Sequence, residues 1–245
     1  MATAAYQDWD KQEVQDLKSW IFGSSADQAR QFFWNIFRDA QDATIFESQT
    51  EDSILFFCNT DTLEVTDDEN NPKNPSGKKT WNNAANMGAY GDGIKDCEPT
   101  SGISGNKAYT ANFDGRSYIM LCPWYLEKMK VVKVPTQQKF SSFFKNPLRA
   151  LDKGLDKIIP DRDMTPMDAM SLLEQTLLHE VTHTLYAGHS LDIDKLNSYD
   201  WKNVVRLSSN PDAYKNAESL AFFGLGVTLI EQGYGISQDG NLKKP

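Results

Sequence analysis

Two histidines four residues apart are the first candidates for chemistry in this chain. His179 and His183 lie in the segment His179-Glu180-Val181-Thr182-His183 and, in a helix, project from one face one turn apart. Two imidazoles at this spacing are typical ligands of a zinc ion. Glu180 points roughly a quarter-turn away, which suits a carboxylate that acts on a metal-bound water without binding the metal. The motif therefore predicts a Zn²⁺ site with Glu180 as general base.

The helix that should carry these histidines has a clear start signal. Thr165 can cap it, Pro166 suits the first helical position, and Asp168 lies near the positive end of the helix dipole. A helical period places the histidines on one flank and an apolar row on the other. The predicted apolar row contains Met170, Leu173, Leu177, Val181 and Leu185. One flank should pack against the core while the other presents metal ligands.

The overall charge argues against a nucleic-acid partner. The chain has 245 residues, a formal net charge of −9 and a pI near 4.9, whereas binding to a phosphate backbone needs clustered Lys and Arg. No apolar run approaches the roughly 20 residues that span a bilayer, so we expect no membrane span. The length suits one domain over residues 1–245, and a monomer is the working expectation.

The cysteines and the amino terminus bear on localisation. Cys58, Cys97 and Cys122 are an odd number, so at least one thiol is unpaired within the chain. Residues 1–10 lack the basic and apolar regions of a secretory signal. We expect a secreted protein whose signal and any pro-segment are absent from this chain. The alternative is a cytosolic protein with three reduced, buried thiols.

The first part of the chain predicts a helical preface over residues 1–45, packed on a catalytic core over 46–245. Two helices are expected between Tyr6 and about Ala43, separated by Gly23-Ser24-Ser25. Their apolar positions are Val14, Leu17, Trp20 and Ile21 in the first helix and Phe32, Phe33, Ile36 and Phe37 in the second. Aromatic residues at this density favour a scaffolding role.

Strand signals are confined to the middle of the chain. Residues 53–58 predict a short buried strand, residues 59–105 a long polar loop, and residues 107–112 and 117–124 a hairpin that turns at Asp114-Gly115. The acidic residues of the polar stretch lack the spacing of an EF-hand, so a solvated loop is expected. These residues are Asp61, Asp67, Asp68 and Glu69. Segregated strands and helices predict an α+β fold that is mostly helical with a small sheet region.

Two later segments are predicted to be helical. Residues 139–159 form the one basic amphipathic stretch, which could cover one lip of a cleft or bind a membrane surface or partner. A strongly apolar helix is expected from Asp212 to about Gln232 and must be buried. Glu218 lies inside it and needs a partner, either near the metal site or in the neighbouring backbone.

Several segments from the motif onward resemble one family of enzymes. These are His179-Glu180-Val181-Thr182-His183, Asp192 nine residues later, Tyr199, and Asn216-Ala217-Glu218. Together they are similar to the aspzincin metallopeptidases, the fungal deuterolysins and peptidyl-Lys metalloendopeptidases. The resemblance covers about Ser53 to Ile230 and is firm from Leu172 onward.

The resemblance implies a zincin-like catalytic domain with a third zinc ligand. In the family two histidines and a later aspartate hold the zinc, which maps onto His179, His183 and Asp192. It further implies a tyrosine that steadies the oxyanion, export from the cell, and a disulfide between Cys97 and Cys122. Tyr199 lies about four residues later than the family pattern, so Tyr186 and Tyr214 are alternatives for that tyrosine.

The third ligand has competitors. His189 stands six residues beyond His183, which is the metzincin spacing, but Tyr186 occupies the position where metzincins need glycine. No methionine follows the motif, since the last one is Met170. Asp192 is therefore preferred over His189, and Asp194 and Glu218 remain further alternatives.

These observations predict a zinc-dependent endopeptidase that cuts protein or peptide substrates with Glu180 as general base. One alternative is a non-catalytic secreted protein that binds or scavenges zinc on the same scaffold. The other is a metzincin-like peptidase that uses His189 as third ligand. An intact Glu180 favours the enzyme, because a scavenger needs only ligands.

Overall fold

A computed structural model describes residues 1–42, 54–98, 106–131 and 164–243. Its contacts divide the chain into two compact units. The helical unit contains residues 1–42 and 164–243, and the β unit contains residues 54–98 and 106–131. The mixture of helices and small sheets confirms the α+β class. One domain over residues 1–245 stays a prediction.

The helical unit begins with three helices and ends with four. Helices α1 (Ala2–Gln7), α2 (Gln12–Phe22) and α3 (Ala26–Asp42) come first. In the β unit, short helices α4 (Gly93–Asp96) and α5 (Pro123–Val131) follow strands. The helical unit then resumes with α6 (Pro166–Ala169), α7 (Leu173–His183), α8 (Trp201–Leu207) and α9 (Ala217–Glu231). The predicted break at Gly23–Ser25 is a 3-10 turn, and α1 was not predicted.

The core of the helical unit is built around α9. That helix is buried along almost its whole length, and Phe223 is fully buried. The Phe223 ring contacts Trp9, Phe22 and Phe33, with ring centroids 5.0 to 5.4 Å away. The amino-terminal helices thus share one core with the last helix, as their aromatic residues indicated. Helix α9 begins after Asn216 rather than at Asp212, because residues 213–215 form a separate 3-10 turn.

The β unit contains two three-stranded sheets. Strand β1 (Ile54–Phe57) pairs in parallel with β6 (Arg116–Leu121), which pairs antiparallel with β5 (Ala108–Phe113). The β5–β6 hairpin turns at Asp114-Gly115, where both residues have a positive φ, which confirms the predicted turn. Cys97 and Cys122 form a disulfide, and Cys58 is free and exposed. The pairing implied by the family resemblance is therefore confirmed.

Two strand predictions were wrong. Strand β1 lies at the edge of its sheet, and its Phe56 is 51% exposed, so it is not buried. The polar stretch after it contains a second sheet of β2 (Leu63–Asp67), β3 (Lys78–Asn82) and β4 (Met87–Tyr90). Each strand of this sheet buries only one or two residues, so its sequence resembles that of a loop.

The remaining strands, β7 (Gly235–Ile236) and β8 (Leu242–Lys243), form a small hairpin in the helical unit. The basic segment predicted at residues 139–159 lies outside the described residues. Among the helices that are described, none has both the length and the apolar character needed to cross a bilayer.

Candidate metal centre

The histidine helix is shorter than predicted. Thr165 and Asp168 do form a capping box, but it caps the separate helix α6. The backbone at Leu172 is extended and breaks the helix, so α7 starts at Leu173. Helix α6 has tertiary contacts of its own, because the Met167 amide donates to the Gly240 carbonyl and the Trp201 amide donates to the Asp168 carboxylate. The cap was identified correctly and the helix boundary was not.

The packed face of α7 also differs from the predicted one. Leu178 and Thr182 are buried, whereas Leu177 and Val181 are half-buried and Leu185 is exposed. Leu178 fits against Gly224 of α9, where an added Cβ would lie 2.4 Å from a Leu178 methyl carbon. Adjacent leucines at positions 177 and 178 let either row face the core, so periodicity could not decide between them.

Three side chains converge at the end of α7. The Nε2 atoms of His179 and His183 lie 3.1 Å apart, and Asp192 places one carboxylate oxygen 3.6 Å from the first and the other 3.7 Å from the second. A zinc ion with tetrahedral bonds of about 2.0–2.1 Å needs ligand atoms about 3.3–3.4 Å apart. The three residues are therefore spaced as ligands of one metal ion.

The hydrogen bonds behind the two rings indicate which nitrogens carry protons. His183 Nδ1 donates to the Ser190 carbonyl over 2.9 Å, and His179 Nδ1 lies 2.8 Å from a Glu218 carboxylate oxygen. With protons on both Nδ1 atoms, two lone pairs face each other across 3.1 Å. Oδ1 of Asp192 is buried and has no hydrogen-bond partner within the described ranges. A cation between these atoms would satisfy all three, so the residues fit a metal ion.

When no metal is bound, electrostatics add one further proton to this pair of imidazoles, on His179. Burial alone lowers the pKa of His179, but the hydrogen bond and charge of Glu218, with smaller effects of Glu180 and Asp192, raise it to about 9. Burial and the neighbouring His179 lower the pKa of His183. A metal ion must therefore displace a proton from His179 to bind.

The buried carboxylate of Glu218 has a partner at the histidine motif. Glu218 is 7% exposed, and it bonds His179. Of the two partners expected for this side chain, the contact at the histidine motif is observed, and binding of a metal there stays a prediction. A carboxylate in this position orients the imidazole and makes it a stronger ligand.

Asp192 is placed by backbone hydrogen bonds of its neighbour. The Leu191 amide donates to the Lys215 carbonyl over 2.7 Å, and the Ala217 amide donates to the Leu191 carbonyl over 2.9 Å. These bonds form a parallel bridge between Leu191 and Asn216, just before α9. The segment that carries Asp192 is therefore attached to the start of the helix that carries Glu218.

Glu180 and Tyr199 lie beside the three candidate ligands. Glu180 is buried, and its charge raises the pKa of both His179 and Tyr199. The Tyr199 hydroxyl donates to Asp192 over 2.9 Å, and its ring stacks on His179 with centroids 5.6 Å apart. Burial, followed by the charge of Asp192, raises the pKa of Tyr199, so its hydroxyl stays protonated at neutral pH.

The other candidates lie apart from this group. His189 is exposed, with φ of 56°, and does not belong to the three-residue group. Asp194 pairs with Arg206 over 3.2 Å. Tyr214 packs against the hydrophobic core, and Tyr186 is half-buried in the loop after α7. Tyr199 is thus the candidate tyrosine that contacts two of the three ligands.

Sequence reasoning missed the residues that act through their backbone. Ser190 orients His183 with its carbonyl, and Leu191 places Asp192 through its amide and carbonyl. Every residue type offers such groups, so neither leaves a signal in the sequence. Comparisons with family models, curated proteins and solved structures give no match in any of the three. The resemblance to aspzincins stays a prediction that rests on the residues.

Proposed function

We propose that this protein is a zinc-dependent endopeptidase of aspzincin type, with α7 as the active-site helix of a zincin-like fold. The observation that carries the proposal is the convergence of His179, His183 and Asp192 on one point, with Glu180 buried beside them. The resemblance to the aspzincin pattern supports the same assignment of residues.

Zinc is the metal that the ligand set favours. Two imidazole nitrogens and one carboxylate oxygen are a common set for a catalytic zinc ion, which keeps one position open. Calcium and magnesium prefer six or more oxygen ligands, which this group does not offer. The Nδ1 bonds of His179 and His183 also match the outer contacts that orient zinc-binding imidazoles.

Glu180 and Tyr199 would have different roles in peptide hydrolysis. A zinc ion, when bound, supplies Lewis acidity that activates water and polarises a carbonyl. Glu180 accepts the proton of the attacking water and passes it to the leaving amine. Tyr199 keeps its proton and can donate it as a hydrogen bond to the oxygen that becomes negative. For this the hydroxyl must turn from Asp192 to the substrate.

A non-catalytic zinc-binding protein is the second candidate. It is favoured by the Tyr199 hydroxyl, which is committed to Asp192 and so steadies a ligand. The buried carboxylate of Glu180 favours the enzyme, because a buried carboxylate costs free energy that mere zinc binding does not require. The disulfide between Cys97 and Cys122 supports an extracellular location for either function.

One experiment separates the two candidates. Zinc-loaded protein is incubated with a mixture of denatured proteins, and the new termini are sequenced. We expect cuts with a consistent residue preference, and we expect the Glu180→Gln variant to bind zinc but cut about 10²–10⁴-fold more slowly. Zinc binding without any cuts would favour the scavenger. Cuts at the wild-type rate by the variant would rule out Glu180 as the base.

A further inference from the structure

The loop from His183 to Asp192 determines whether three ligands can meet. It turns back on α7 through two backbone bonds, from His189 to the Thr184 carbonyl and from Ser190 to the Thr182 carbonyl, each 2.9 Å long. The turn includes Gly188 and His189, both with a positive φ. Its last residues supply the carbonyl that orients His183 and the carboxylate of Asp192.

Helix α3, far away in the sequence, contacts the middle of this loop at two points. The Asn35 side-chain amide donates to the Ala187 carbonyl over 3.0 Å. The Phe32 ring lies against Gly188, where an added Cβ would be 3.0 Å from a ring carbon. Gln31 donates to the Asn35 side-chain oxygen over 2.7 Å, which leaves the Asn35 nitrogen directed at Ala187. Ala187 itself is fully buried.

We propose that α3 is a positioning part of the metal centre, acting through Asn35 and Phe32 on the loop at Ala187 and Gly188. Their contacts described above are with Ala187 and Gly188 rather than with His179, His183 or Asp192. They fix the middle of the loop, while the Leu191 bridge fixes its far end. The helical preface therefore sets the affinity for metal as well as contributing to the core. This inference rests on the metal site of the proposed function but not on catalysis.

The geometry explains why the middle of the loop needs such support. Residues other than glycine are strained at positive φ. A change of the His189 backbone to negative φ would therefore lower its free energy. Relaxation there would move the Ser190 carbonyl away from His183 and shift Asp192 from the two imidazoles. The contact of Phe32 with Gly188 blocks that movement from outside, since no side chain on Gly188 keeps the ring away.

The test is a zinc competition titration on two substitutions of Asn35 and a matched control. Asn35→Ala removes the amide, and Asn35→Leu keeps a similar volume without a donor. Gln28→Ala removes an exposed amide from the same helix. We expect Kd for zinc to rise about 5- to 10-fold in both Asn35 variants, the loss of one hydrogen bond, and to stay within about 2-fold in the control. The visible spectrum of the Co²⁺-substituted Asn35 variants should also change, because the ligand geometry changes.

A second comparison separates positioning from general scaffolding. A positioning role lowers the Tm of the zinc-loaded variant more than that of its metal-free form, whereas a scaffolding role lowers both equally. In an Asp192→Ala background, Asn35→Ala should weaken zinc binding less than it does in the wild type, because only the Ser190 carbonyl that orients His183 is left for the loop to place. Wild-type Kd and spectra in both Asn35 variants would overturn the inference. A wild-type protein that binds no zinc would instead contradict the metal site itself.

Discussion

The two units of the molecule are stabilised in different ways. The main cluster of the helical unit contains twenty buried apolar residues, and that of the β unit contains eight, among the residues that the structure describes. Two of those eight are Cys97 and Cys122, which are joined covalently. The small cluster thus gains from a cross-link, whereas the large one is held by packing around Phe223.

This difference bears on where a metal centre can be built. A buried group of three titratable side chains, His179, Glu180 and Glu218, costs free energy that surrounding packing must offset. The helical unit has that packing, and both imidazoles have hydrogen-bond partners at Nδ1 within the site. We therefore expect chelators to destabilise the helical unit and reductants to destabilise the β unit.

The largest expected effect separates the metal ligands from their neighbours. Asp192→Ala should weaken zinc binding by about 10³-fold, because it removes one of three protein ligands. His189→Ala is the matched control, since this exposed histidine lies outside the group, and it should change Kd less than about 3-fold. Competition titrations of both variants measure the difference. A larger effect of His189→Ala than of Asp192→Ala would favour a metzincin-like site with His189 as third ligand.

Removal of the disulfide should affect the β unit alone. A Cys97→Ala and Cys122→Ala double variant should destabilise that unit by about 3–4 kcal/mol, because the bond closes a loop between cysteines 25 residues apart. Zinc affinity should not change. Cys58→Ala is the control, because that thiol is free. Denaturant unfolding with and without reductant measures the loss of stability. A large loss of zinc affinity in the double variant would contradict the prediction that only the β unit is affected.

The metal-free protein should lose stability as the pH rises from about 6.5 to 9. The pKa of His179 is raised to about 9, so the folded state holds a proton that the unfolded state releases above its ordinary pKa of 6.5. The stabilisation is complete below pH 6.5 and is lost through pH 9, with a magnitude of about 3 kcal/mol. Urea unfolding at several pH values, in the presence of a chelator, measures it. His179→Gln should abolish the slope, and a rise in stability over this range would contradict the assignment.

The smallest expected effect on zinc binding is that of Glu218, whose carboxylate accepts a hydrogen bond from His179. Glu218→Gln should weaken zinc binding about 10-fold, because the amide can still accept a hydrogen bond from His179 but lacks the charge that strengthens the imidazole. The control is Glu231→Gln at the exposed end of the same helix. Calorimetric titration with zinc measures both. An unchanged Kd in Glu218→Gln would mean that the hydrogen bond alone orients His179.

Local patterns predicted the parts of the site that depend on side-chain type. The spacing of His179 and His183 and the Asp114-Gly115 turn are both visible in the sequence. Asp192 and the disulfide were predicted through the family resemblance. The prediction of which face of α7 packs was wrong. Leu177 and Leu178 belong to two equivalent rows, and only the contact of Leu178 with Gly224 decides which row is buried. The bond from Asn35 to Ala187 joins residues 152 apart, which no local pattern indicates.

The bridge at Leu191 also has consequences for rates. The backbone next to Asp192 is held by the amide hydrogen bonds of Leu191 and Ala217, so we expect a bound ion to exchange faster when this segment opens. Hydrogen exchange of those two amides would report the opening, and zinc should slow it. If opening of this segment limits release, the dissociation rate of zinc should follow the exchange rate of these two amides.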